Sequence, residues 1–271
     1  MSGNLISLPD PQGVAVGGTA TADIPKTGAY RELLLGYESN GTPANLATMV
    51  ADITQIRLRL NGVDQWVLSA DDLIKLNSIY GETYQDGLLP LFFHEPHRRE
   101  MLGEDAGIWG MGNVQSFQME IKIASGATAP RLTLHALREP GSRPIGAIRK
   151  IKRYNLPVTN TGDNVYTPDR FGAYRAIHAK TANINGVHVK VDDRDKLHAP
   201  FSLINNKMRR HGLTPVTGWS SIIFDDDRRF GSMLEMQPRD LPRVQDFRVI
   251  YDMSAASGFD IITETFGSPD A

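Results

Sequence analysis

At 271 residues the chain lies near the length at which one core stops growing and two form, so two domains are expected. A formal charge of −2, with 41% hydrophobic and 22% charged residues, describes a globular protein with no global attraction for nucleic acid. The lack of cysteine excludes a disulfide framework and thiolate chemistry, in keeping with a reducing cytosol.

The first ten residues lack the basic and apolar regions of a secretory leader, and no run approaches a membrane span. With 25 Gly and 16 Pro punctuating short alternating runs, the chain reads as turn-rich β structure. Residues 1–27 read as an arm plus a first edge strand, Thr19–Ile24. Tyr30–Tyr37 is a strand, Ser39–Pro43 breaks the chain, and Asn45–Ala51 suits a short helical turn. Ile53–Leu60 alternates, Asn61-Gly62 signals a hairpin and Gln65–Leu68 returns. Ser69 and Asp72 have capping-box spacing ahead of a helix over Asp71–Tyr80, which Gly81 closes. Leu88–Phe93 suggests a strand buried on both sides, and Glu95–Asn113 a long loop.

The stretch Val114–Leu137 then returns as Val244–Phe266. Phe117, Met119, Ile121 and Ile123 alternate with polar residues, as do Phe247, Val249, Tyr251 and Met253; each run crosses a small-residue turn into a second strand. A shift of 131 also sets Ile56, Leu58 and Leu60 on Val187, Val189 and Val191, Trp66 on Leu197, and Gly81 on Gly212. Gly28-Ala-Tyr-Arg31 recurs as Gly172-Ala-Tyr-Arg175 at a shift of 144, so the first copy holds an insertion within Ser39–Asp52. Collinear matches across both halves indicate a tandem duplication. The boundary falls in Glu139–Pro144, and the second copy opens with Ile145–Val158, continues through Gly172–Ala179 and Gly186–Val191, and reaches a helix near Phe201–His211 after Pro200. The expected fold is all-β: two tandem eight-stranded jelly rolls, each with a short helix, the N-terminal roll and its arm over 1–144 and the C-terminal roll over 145–271.

No catalytic, cofactor-binding or metal-binding residues emerge. His94-Glu95-Pro96-His97 lacks zincin spacing, and Pro96 would break the helix such a site needs, so it reads as a loop tip. Asp225-Asp226-Asp227 and the group Asp192, Asp193 and Asp195 read as solvated turns, with calcium as the alternative. Arg149-Lys150-Ile151-Lys152-Arg153 is the densest basic run; a solvated strand or interdomain contact is expected, with a subunit, membrane or nucleic-acid partner as alternatives. Arg98-Arg99, Arg209-Arg210 and Arg228-Arg229 are candidates for contacts between subunits. Glycine-rich Gly107–Gly112 enters a strand, so it offers no helix terminus to cradle phosphate.

This organisation resembles the double jelly-roll major capsid proteins of tailless icosahedral viruses, the corticovirus-type phage coat protein above all. The residues that carry the resemblance are Asn61-Gly62 with Trp66, Asp86–Phe93, the Gly103–Asp105 and Trp109-Gly110 loop, and Thr263–Thr265. It implies a structural protein of the virion shell, assembled in the host cytoplasm, with no enzymatic activity. The family's subunits form pseudo-hexagonal homotrimers that tile a lattice with minor capsid and penton proteins, around an inner viral membrane, without sequence-specific nucleic-acid binding. No cofactor is required, and calcium is compatible with the resemblance. The alternatives are a carbohydrate-binding or spike-like adhesion module, which needs exposed aromatic platforms such as Trp219, and a bicupin-type enzyme.

Overall fold

The computed structural model describes residues 3–98, 101–238 and 242–270. The chain divides into two compact units, Met1–Ile151 with Ser268–Asp270, and Lys152–Gly267.

The first unit contains β1 (Asn4–Ser7), β2 (Thr19–Asp23), β3 (Ala29–Ser39), β4 (Thr42–Pro43), helix α1 (Leu46–Asp52), β5 (Ile53–Leu60), β6 (Val63–Leu68) and helix α2 (Ala70–Ile79). β7 (Leu88–Phe92), the short helix α3 (Met101–Glu104), β8 (Trp109–Gly110), β9 (Phe117–Ile123) and β10 (Arg131–Glu139) complete it. One sheet runs β1-β10-β3 with β7 and β8 both on the far edge of β3; the facing strands run β2-β9-β5-β6. The segment expected as an arm holds β1, while β2 falls where the sequence places an edge strand, Thr19–Ile24. β1 pairs antiparallel with β10 and β2 with β9, so these residues supply two of the roll's eight main strands. β1 escapes a sequence reading because its four residues are exposed or half-buried and show no apolar alternation.

β11 (Ile148–Leu156) starts in the first unit and runs into the second at Lys152, followed by β12 (Gly162–Tyr166), β13 (Ala173–Ala179), β14 (Ile184–Val191), β15 (Arg194–Pro200), helix α4 (Phe201–Arg210), β16 (Ser220–Ile223), β17 (Leu234–Glu235), β18 (Phe247–Met253) and β19 (Phe259–Gly267). The sheets of the second unit run β11-β19-β13-β16, with β17 also on β13, and β12-β18-β14-β15. Strand for strand this is the order of the first unit. Both are jelly rolls.

The duplication extends to irregularities that no topology requires. β5 slips against β9 between Ile53 and Gln55, and β14 against β18 between Ile184 and Gly186. β5 slips again on β6 between Leu58 and Arg59, as β14 does on β15 between Val189 and Lys190. Each pair differs by the same shift of 131 read from the sequence. Bulges set local twist and re-aim side chains, so their retention ties both rolls to one ancestral backbone.

Alternation builds both cores. Along β9 and β18 every second residue, from Phe117 to Ile123 and from Phe247 to Met253, is buried. In the first roll Phe93 stacks on Trp109 at 4.1 Å and meets Trp66 edge-on at 5.4 Å. Burying a ring of this kind contributes about 2–3 kcal/mol, and each aromatic pair about 1 kcal/mol more. The edge-on pair Tyr30–Phe117 recurs as Tyr174–Phe247.

Some elements differ from the sequence reading. β7 alternates between buried and half-buried positions, so it is fully buried on one face and not on both as expected. Ser69 closes a full capping box with Asp72, and α2 starts at Ala70, one residue earlier than expected. Pro200 stands at the cap of α4 with no side-chain bond to give. The insertion in the first copy is the β3–β4 hairpin followed by α1, whose Asp52 accepts from Tyr37 Oη at 2.6 Å in the core. No helix among the described residues is long and apolar enough to cross a membrane.

Candidate functional site

The repeated Gly-Ala-Tyr-Arg segments each set a buried arginine among carboxylates, half-exposed ones in the first roll and buried ones in the second. Gly28 and Gly172 take φ of +76° and +68°, and a Cβ on either would lie 2.4 or 2.3 Å from the carbonyl oxygen of Glu139 or Phe266. Only glycine fits there. The tyrosine two residues on reaches back: Tyr30 Oη donates to the Pro25 carbonyl and Tyr174 Oη to that of Asp169, both at 2.6 Å. The register between β3 and β10 then skips Arg31, and that between β13 and β19 skips Arg175, so each arginine is the extra residue of a bulge.

Released from the ladder, Arg31 reaches Glu104 Oε1 at 2.9 Å, Asp105 Oδ1 at 2.7 Å and Glu139 Oε1 at 2.8 Å. Burial works against its charge, but the hydrogen bond it donates to Glu139 and the field of Asp105 outweigh that and hold its pKa above the ordinary value. Its carbonyl accepts from Phe93 N, His94 N and His94 Nδ1, which pins the start of the 93–113 loop. In the second roll Arg175, fully buried, lies 3.7 Å from Asp225 and 3.6 Å from Glu264. Its carbonyl accepts from Phe224 N at 2.8 Å. Glu264 also meets His178 Nε2 at 2.9 Å, and His178 Nδ1 lies 2.9 Å from Ser221 Oγ.

Ser221, His178 and Glu264 have the order of nucleophile, base and orienting carboxylate. Their burial answers the question of chemistry: Ser221 is 1% exposed and the other two are 0% exposed, inside a sheet, with Trp219 packed against the imidazole at 5.6 Å. A reacting group has no approach to the hydroxyl.

The structure corrects several expectations for charged stretches. His94-Glu95-Pro96-His97 is not an exposed loop tip: Glu95 is fully buried, with His97 Nε2 at 3.2 Å, Arg98 Nε at 3.4 Å and Arg149 Nη1 at 3.8 Å. Burial pushes the His94 imidazole below its ordinary pKa. Arg98, a candidate for a subunit contact, is spent on Glu95 inside its own roll; Arg99 lies outside the described residues. In the basic run, Arg149 and Lys150 are buried, the Arg149 guanidinium sits 4.9 Å over Trp66, and Arg153 pairs with Asp260. A charge count along the sequence could not find this, because alternation in β11 starts only after Ile151.

The aspartate-rich turns are likewise occupied. Asp225 meets Arg175, Asp226 pairs with Lys207 at 2.8 Å, and Asp227 accepts from Ser232 Oγ at 2.7 Å. Asp192 accepts from the backbone N–H groups of Gln245 and Asp246, which lower its pKa; Asn61 does the same for Gln115 and Ser116 in the first roll. Asp193 pairs with Arg248, and Asp195 with His188 at 2.7 Å. Among the described residues no group of three or more His, Asp or Glu side chains is placed to hold a metal ion. Trp66, Trp109 and Trp219 are all buried, so none forms an exposed platform. A groove of about 420 Å³ on the β12-β18-β14-β15 sheet is lined by Asp163, His188, His198 and Asp252, and the His188 and His198 rings stack at 4.4 Å.

The geometry is thus that of two rolls locked by duplicated internal charge nodes, with their loops held rather than loose. The structure superposes on the major capsid protein P2 from bacteriophage PM2 with a TM-score of 0.87 at 18% identity, over 97% of both chains. It also superposes on the atomic structure of Sulfolobus Turreted Icosahedral Virus (TM-score 0.68, 11% identity, 98% of this chain and 91% of that one). The PBCV-1 virus capsid follows (TM-score 0.64, 8% identity, 97% and 92%). At these identities the likeness speaks for the fold. No curated protein matches the chain by sequence. The profile described as viral coat protein P2 N-terminal domain matches residues 5–139 and the one for the P2 C-terminal domain matches 148–269, and with nearly the whole length so covered the chain belongs to the viral coat protein P2 family.

Proposed function

We propose that this coat protein is the major capsid protein of an icosahedral virus, working as a homotrimer of pseudo-hexagonal outline that tiles the shell. One observation carries the reading: a single chain holds two rolls with the same strand order and the same bulges. Three such chains around a threefold axis set six similar wedges in a ring, and a near-hexagonal tile packs edge to edge without gaps. The buried nodes suit that task, since a shell needs subunits that hold their shape under load. In the same reading the tiles meet minor capsid and penton proteins and enclose an inner membrane.

The role is mechanical, with no catalytic step: the Ser221, His178 and Glu264 alignment is sealed in the sheet, and it orders β13, β16 and β19 instead. Neither metal nor cofactor is required, because the carboxylates at the turns already have protein partners. Native mass measurement with negative-stain electron microscopy tests the reading. Trimers of hexagonal outline that persist in a chelator are expected; a chain that stays monomeric at high concentration overturns it.

A further inference from the structure

The segments Ser69–Gly87 and Pro200–Gly218 occupy the same place in the two rolls, have equal length, and carry opposite charge. Each opens with a ten-residue helix, α2 or α4. Each then passes two glycines at positive φ, Gly81 and Gly87 at +95° and +73°, Gly212 and Gly218 at +75° and +79°. Against that shared backbone, the first segment holds Asp71, Asp72, Glu82 and Asp86 with Lys75 alone, while the second holds Lys207, Arg209 and Arg210 and no carboxylate. The net charges are −3 and +3.

Part of this charge is used within each roll: Asp71 pairs with Lys75, Asp72 caps α2, and Lys207 pairs with Asp226. The remainder faces solvent. Glu82, Asp86, Arg209 and Arg210 are all exposed, and none forms an ion pair among the described residues. α4 buries Phe201, Ile204 and Met208 and leaves Leu203, at 60% exposure, on the same open face as Asn206, Lys207 and Arg210, the i, i+3, i+4 and i+7 positions of a helix. The equivalent α2 is largely buried, so the open basic face belongs to one roll only.

We propose that the basic segment Pro200–Gly218 of one copy docks on the acidic segment Ser69–Gly87 of the next, and that this charge pairing sets the order of rolls around the trimer. The inference rests on the trimer reading above. In a trimer of pseudo-hexagonal outline, equivalent segments of the six rolls would lie at one height. A first roll set beside a second roll brings the free Glu82 and Asp86 to the free Arg209 and Arg210, whereas two first rolls or two second rolls would set like charge against like. The head-to-tail arrangement that closes a ring is favoured over the back-to-back arrangement that stops at a dimer.

The test is the trimer dissociation constant of the full chain at physiological ionic strength. Arg209→Glu with Arg210→Glu is expected to weaken the trimer at least tenfold, and adding Glu82→Lys with Asp86→Lys is expected to restore most of the loss. Should the reversed chain fail to fold, Arg209→Gln with Arg210→Gln serves instead: wild-type association then weakens steeply as salt rises, and the Gln variant is both weaker and less salt-dependent. A wild-type chain that never forms trimers removes the trimer reading itself. Trimers unaffected by reversal overturn only the charge pairing, and the same result with lost binding to vesicles containing anionic phosphatidylglycerol reassigns the surface to lipid headgroups.

Discussion

At the scale of single residues, the two arginine nodes show how a fold keeps buried charge. A buried ion costs several kcal/mol unless partners surround it, and Arg31 and Arg175 answer with carboxylates drawn from distant parts of the chain. His94 sits beside the first node as a neutral ring: its Nδ1–H donates to the Arg31 carbonyl, and Arg31, Glu104 and Glu95 are the charges around it. Because burial lowers its pKa in the folded chain, the unfolded chain takes up a proton near pH 6.5 that the folded chain refuses. Stability contributed by this group is therefore intact above that pH and falls as pH drops from there toward the folded value. His94→Gln, which cannot titrate, is expected to flatten that part of the curve. Urea midpoints of both proteins between pH 5 and 8 measure it; parallel curves would show that the ring does not carry the loss.

At the scale of elements, the glycines that begin β3 and β13 do more than turn the chain. Gly62, in the β5–β6 hairpin, has φ of +80° with no atom within 4 Å of the place a Cβ would take, so Gly62→Ala meets only the left-handed backbone penalty, about 1–2 kcal/mol. Gly172 adds a collision with the Phe266 carbonyl oxygen at 2.3 Å, which cannot move without opening the β13–β19 pairing. Gly172→Ala is expected to cost about 3 kcal/mol or more, the strain and the lost pairing together. Equal shifts in denaturant midpoint for the two variants would mean that the tight approach has no energetic weight. The recurrence of Gly-Ala-Tyr-Arg made this element visible in the sequence as a repeat, although its role as a bulge was not, since a bulge depends on which residue the partner strand skips.

At the scale of the whole chain, the duplication was legible because apolar alternation and glycine turns repeat at fixed shifts. β1 and β12 were lost because short strands with mostly exposed or half-buried residues show little apolar alternation, whereas β2 was legible over Thr19–Ile24. The charged stretches misled for a related reason: sequence counts charges, and only the fold says which of them, like Glu95 and Arg149, meet inside. The stretch Glu139–Pro144 has the composition of a free linker, yet its end is strapped down. Gly112 N donates to the Arg143 carbonyl at 2.8 Å and Ile145 N to Asn113 Oδ1 at 2.7 Å, while a Cβ on Gly110 would lie 2.5 Å from the Arg143 carbonyl oxygen and 2.6 Å from that of Pro144. A strap of this kind fixes where the first roll ends, and a tether would leave that to chance. Gly110→Ala should push the strap away, and hydrogen exchange at the amides of Gly112 and Ile145 is expected to quicken by about tenfold or more, since local opening is what their bonds resist. Exchange along β9 and β18 should stay as it was. Amides at Gly112 and Ile145 that exchange freely in the wild-type chain would instead make the stretch a tether, as its composition alone suggests.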